Sequence, residues 1–203
     1  MEIIPKDQNL DIIFLIDKSG SMYGCERDTI GGFNSFVEKE RKNEFNTKVS
    51  TILFNHGYDV LYKRKSINEV KELTENEYHV SGSTALLDAI GRTITTLDKE
   101  IDNKVLFVIM TDGYENSSVE FSKAQIRNMI NNHRWEFIFI GADIDSYSEG
   151  MNIGIRKSRI ANYAKSAEGF NDLYMSVTDA ANCMRSEIDL DEGNWNKRLK
   201  KYD

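Results

Sequence analysis

Leu10-Asp11-Ile12-Ile13-Phe14-Leu15-Ile16 is a nearly unbroken apolar run, and Asp17-Lys18-Ser19-Gly20-Ser21 follows it without a spacer. A strand with one wet face alternates apolar and polar residues. A continuous run instead implies burial on both faces, as in a parallel sheet covered by helices on either side. Working outward, Val49 to Phe54, Val105 to Met110 and Phe137 to Ile140 have the same character. The segments between them place apolar residues at helical spacing, as in Leu86, Leu87, Ile90, Ile94 and Leu97, or Phe170, Leu173, Tyr174, Val177, Met184 and Ile188. This alternation of strand and helix predicts an α/β sandwich.

Only Asn55, His56 and Gly57 separate Val49 to Phe54 from Tyr58 to Tyr62, so that pair is a hairpin and Tyr58 to Tyr62 an antiparallel edge strand. Ser122 and Gln125 form a capping box, with Phe121 and Ile126 placed as a hydrophobic staple at the same helix start. The expected architecture is a Rossmann-like, doubly wound, mostly parallel sheet of strand order 3-2-1-4-5-6, strand 3 being the antiparallel edge, with helices on both faces.

The 203 residues, 40% hydrophobic and 10% aromatic, suit one domain over residues 10–190, with an N-terminal extension over 1–9 and a C-terminal tail over 191–203. A formal net charge of −7 argues against nucleic acid as a partner. The basic run Lys197, Arg198, Lys200 and Lys201 reads as a solvated tail. Cys25 and Cys183 have no partner suggested by spacing and read as free thiols, which favours a reducing, cytoplasmic compartment. Met1 to Leu10 lacks the apolar stretch of a leader, and no apolar run approaches the roughly 20 residues of a membrane span.

Function is expected in the loops. Ligands of open α/β sheets collect at the carboxyl ends of the strands, and two acidic loops stand at such ends: Asp17 to Ser21 after the first strand and Thr111-Asp112-Gly113 after Val105 to Met110. A third polar loop, Ser81-Gly82-Ser83-Thr84, opens the helix that begins with Ala85. In these three pieces the chain resembles the A domains of von Willebrand factor and the integrins, with their metal-ion-dependent adhesion site (MIDAS), over roughly Leu10 to Ile188. The resemblance implies that Ser19, Ser21 and Thr84 supply hydroxyl ligands, that Asp17 and Asp112 bind the ion directly or through water, and that a carboxylate of a partner protein fills the remaining position. Lacking a leader, a disulfide or an appended domain, the chain is similar to short intracellular bacterial and phage members, which commonly act as adaptors.

The residue types agree with a hard ion. Mg²⁺ takes six oxygens, retains water and is commonly held by one or two carboxylates, while Mn²⁺ or Ca²⁺ are admissible alternatives. His56, His79 and His133 are far apart and outside the three loops, so a zinc or copper cage is not expected. Taken singly, the aspartates and hydroxyls would be ordinary cap or turn residues, and Gly20, Gly82 and Gly113 turn glycines. Asp88 reads equally as support for the site or as a helix-dipole residue, and Glu115, Asn116, Ser117 and Ser118 as a solvated loop. Asp143 and Asp145, one strand further along, are set apart from the site.

Two other functions remain open. A metal-dependent phosphohydrolase of the haloacid dehalogenase type also places an Asp after its first strand. Here Ser19 stands where that family needs a second acid, no His, Lys or Glu is expected near the loops as a general base, and there is no P-loop. An ion that only staples the top of the sheet, with function in assembly, is compatible with the same five residues.

Overall fold

The computed structural model describes residues 9–43 and 45–203. The expected N-terminal extension lies outside the described residues except for Asn9. In chain order the elements are β1 (Leu10–Asp17), α1 (Glu26–Lys42), β2 (Thr47–Phe54), β3 (Tyr58–Ser66), α2 (Leu86–Leu97), β4 (Lys104–Thr111), α3 (Lys123–Asn132), β5 (Glu136–Gly141), α4 (Ser146–Asn152), β6 (Ile160–Asn162) and α5 (Ala167–Arg185). They build one sheet of order β3-β2-β1-β4-β5-β6. β3 runs antiparallel to β2, and every other pairing is parallel. The expected strand order and antiparallel edge are both present.

β1 lies in the middle, and all eight of its residues are buried. Successive side chains of a strand point to opposite faces. Ile12, Phe14 and Ile16 therefore pack with Phe33, Phe36 and Val37 of α1 and Tyr174 and Val177 of α5. Ile13 and Leu15 meet Leu87, Ile90 and Ile94 of α2 and Ile126 and Ile130 of α3. Edge-on aromatic contacts, Phe14 to Phe33 at 5.6 Å and to Phe36 at 5.0 Å, tie α1 to the sheet. Burial on both sides is what the continuous apolar run requires.

Element boundaries follow local chemistry. α2 starts at Leu86, with Ala85 at the N-cap, and α3 has its full capping box of Ser122 and Gln125. β3 extends past Tyr62 to Ser66 through an irregularity opposite Ser50, where Arg64 takes φ 47° and its N–H donates to Ser50 Oγ.

Segment 191–203 is not the solvated tail expected from its charges. Trp195 and Leu199 have 1% and 0% exposure and join the core on the α1–α5 side of the sheet. The Trp195 indole N–H donates to the Ser158 carbonyl at 3.0 Å. Arg198 pairs with Asp179, and Lys201 with Glu168 and Asp172. Charged heads remain at the surface while the apolar residues between them anchor the chain. Cys25 and Cys183 are buried free thiols. Among the described residues no helix is long and apolar enough to cross a membrane.

Candidate metal centre

β1 and β4 are neighbours in register, Ile16 opposite Met110, so the loops that leave them emerge side by side at the carboxyl edge of the sheet. Asp17, the last residue of β1, has no exposed surface. Its Oδ1 accepts the Ser19 backbone N–H and its Oδ2 the Thr111 hydroxyl, each at 2.6 Å. Ser21 Oγ donates to Asp112 Oδ1, and Ser19 Oγ stands 3.1 Å from Ser21 Oγ. Gly113 shows how Thr84 joins them. A methyl group on its α-carbon would lie 2.8 Å from Thr84 Oγ1, 3.1 Å from Ser21 Oγ and 3.5 Å from Ser19 Oγ. Three hydroxyls and two carboxylates from three separate loops thus form one cluster, comprising all five candidate residues.

The loops are cross-tied by the protein itself. The Gly20 N–H donates to the Gly82 carbonyl, and the Ser81 N–H to the Lys18 carbonyl. Asn55, from the β2–β3 hairpin, accepts the Ala85 N–H at its carbonyl and donates its side-chain amide to the Ser81 carbonyl. Gly82 turns at φ +75°, with the His56 ring packed where a side chain would stand.

Residues 115–118 are not a solvated loop. Asn116 brackets Thr84, its side-chain oxygen accepting the Thr84 N–H and its own N–H donating to the Thr84 carbonyl. The Glu115 carboxylate accepts the Leu87 N–H, and Ser118 Oγ accepts that of Asp88, so this loop caps α2 from outside. Asp88 reciprocates by accepting the N–H groups of Val119, Glu120 and Phe121. Its role is a strut between α2 and the third loop.

Burial pushes the Asp17 carboxyl up to about 6, the Asp112 charge adding to the shift while the hydrogen bonds from Thr111 and Ser19 oppose it. A cation is present that sequence reading did not anticipate. Lys165, between β6 and α5, places Nζ 2.5 Å from Asp112 Oδ2 and 3.0 Å from Asp143 Oδ2, and donates to the Ser21 carbonyl at 3.1 Å. Its contact with Asp112 is a charge-assisted ion pair to a buried carboxylate oxygen. Burial disfavours the Lys165 charge, but Asp112 and Asp143 outweigh it and hold the ammonium above its ordinary range. A lysine thus stands at the loops, as a paired cation and not in the role of a general base, and Asp143, set apart on sequence, is linked to the cluster through it. β6 has only three residues, too few for its periodicity to announce that another strand end lies here.

Among the described residues no three His, Cys, Asp or Glu side chains gather as a metal cage. The cluster is instead hydroxyl-rich, with two buried carboxylates and oxygen donors only, a set that fits a hard divalent ion better than a soft one.

The family model for the von Willebrand factor type A domain matches residues 11–179. No curated protein matches the chain. Among solved structures, proximal thread matrix protein 1 from the mussel byssus superposes with a TM-score of 0.64 at 18% identity, over 85% of this chain and 46% of that one. The same mussel protein is known with a zinc-occupied MIDAS motif. A von Willebrand factor type A protein from Catenulispora acidiphila gives 0.64 at 17% identity, over 85% and 42%. The manganese-loaded TRAP protein of Plasmodium vivax gives 0.56 at 18%, over 77% and 68%. The chain spans less than half the length of the first two of these proteins. At such identities the structural likeness is one of fold.

Proposed function

The chain belongs to the von Willebrand factor type A domain family, and from that membership we propose that it is a binding module and not an enzyme. In this proposal Asp17, Ser19, Ser21, Thr84 and Asp112 hold one divalent ion, Mg²⁺ in preference with Mn²⁺ as a substitute, and present it to an acidic side chain of a protein partner. Family members with a MIDAS are metal-dependent adhesion and interaction domains. The zinc of the mussel protein and the manganese of the Plasmodium protein support a divalent ion, and the oxygen-only donor set supports Mg²⁺ as its identity.

The observation that carries the proposal is the convergence of three hydroxyls and two carboxylates about Gly113. When bound, the ion supplies a positive centre to which a carboxylate can add. Ser19, Ser21 and Thr84 are neutral and leave that centre electrophilic. Asp17 and Asp112 are held in place by hydrogen bonds from Ser19, Thr111 and Ser21. Catalysis is disfavoured because Lys165, the amine that touches the cluster, is held protonated by two carboxylates and cannot act as a base. A purely structural staple is disfavoured because Asn55, Asn116, Glu115 and Asp88 already tie the three loops together. The two buried free thiols support placement in a reducing compartment.

The experiment is affinity capture of the partner in Mg²⁺ and in EDTA, with wild type and Thr84→Ala. Loss of one hydroxyl costs on the order of 1 kcal/mol of fold stability. The expected outcome is Mg²⁺-dependent capture by wild type and much weaker capture by the variant. Equal capture in EDTA, or wild-type affinity in Thr84→Ala, contradicts the adhesion mechanism.

A further inference from the structure

Every carboxylate oxygen at the cluster already faces a protein group. Asp17 Oδ1 and Oδ2 accept from Ser19 N and Thr111 Oγ1, Asp112 Oδ1 accepts from Ser21 Oγ, and Asp112 Oδ2 faces Lys165 Nζ at 2.5 Å. These partners are not equivalent. A serine or threonine hydroxyl has lone pairs of its own and can turn them to an ion, whereas an ammonium has three donors and no acceptor. Lys165 can only compete with a cation. It is also held in place, since Asp143 Oδ2 at 3.0 Å and the Ser21 carbonyl at 3.1 Å take its other contacts, and its side chain is only 23% exposed.

The two common hard ions differ in what they ask of a carboxylate. Ca²⁺ takes six to eight oxygens in flexible geometry and readily accepts both oxygens of one carboxylate, while Mg²⁺ keeps a strict octahedron and several waters. A site in which neither carboxylate can offer both oxygens suits the smaller ion.

We propose that Lys165 is the ion-selectivity residue of this site: by holding Asp112 Oδ2 in an ion pair it bars that carboxylate from bidentate chelation, and so sets the domain against Ca²⁺ and in favour of Mg²⁺. This rests on the metal-binding function proposed above. Lys165 is a positioning residue that acts through Asp112 and does not itself ligate. Asp143 is the second anchor that keeps the ammonium at Asp112.

The test is titration calorimetry of the full chain with MgCl₂ alone and with CaCl₂ alone, for wild type, K165M, K165A and K165R, with melting in EDTA to show that each variant is folded. The ratio of the two dissociation constants separates selectivity from charge, because loss of a positive charge alone strengthens both ions together. The expected result is a shift of that ratio towards Ca²⁺ by about tenfold in K165M and K165A, the scale of a lost partner behind a metal ligand, with K165R close to wild type. A ratio unchanged in K165M or in K165A overturns the proposal while leaving metal binding intact. Wild type that binds neither ion removes the metal-binding function itself.

Discussion

At the end of β1, Asp17 is wholly buried beside a second carboxylate, and its pKa is raised to about 6. A group whose folded pKa exceeds its unfolded value contributes stability that is fully present below the unfolded pKa and lost as pH rises through the folded one. In EDTA, therefore, Asp17 stabilises the fold at about pH 4 and ceases to do so by about pH 7, while an ion needs the ionised form. The gain in melting temperature on adding Mg²⁺ should grow from pH 5 to pH 7 as protons cease to compete, and a gain constant over that range would count against Asp17 in the site. Asp17, Ser19, Ser21 and Asp112 are legible because they lie at the carboxyl end of a strand or in the loop that leaves it. Lys165 was not, because nothing local in Ala164-Lys165-Ser166 points to a carboxylate more than fifty residues earlier.

Among the elements, β1, β2, β4 and β5 were readable because burial on both faces leaves no room for polar residues along most of their length. β6, counted in the expected order, has only three residues, too few for its place in the chain to be read from pattern. The reciprocal capping of α2 by Glu115 and Ser118, and of residues 119–121 by Asp88, joins groups about thirty positions apart and leaves no mark at helical spacing. The C-terminal segment was misread because its lysines and arginines outnumber the two residues that anchor it, Trp195 and Leu199, which are four apart and both buried. Trp195→Ala should cost about 3–5 kcal/mol, whereas exposed Lys197→Ala should stay within about 0.5 kcal/mol. Denaturant unfolding of both variants checks this, and a silent Trp195→Ala would restore the solvated tail.

For the whole molecule, strand order places the chemistry. β1 flanked by β2 and β4 brings the loops after β1 and β4 together, and the β2–β3 hairpin, through Asn55, holds the loop before α2 over them. That order could be expected from one hairpin and a strand–helix alternation, and it is what brings the five candidate residues to one edge of the sheet. The cation beside them depends on the far edge of the sheet, which only the folded chain brings near. The binding function requires that this cluster of oxygens hold a divalent ion. The most direct measurement is thermal unfolding of wild type and Asp112→Ala in EDTA and in saturating MgCl₂. An ion bound only by the native state at about 100 times its dissociation constant adds roughly 2.7 kcal/mol, which in a chain of this size is roughly 5–10 °C. That gain is expected in wild type, and its loss in Asp112→Ala. An unchanged wild-type melting temperature in saturating MgCl₂ would contradict the binding function.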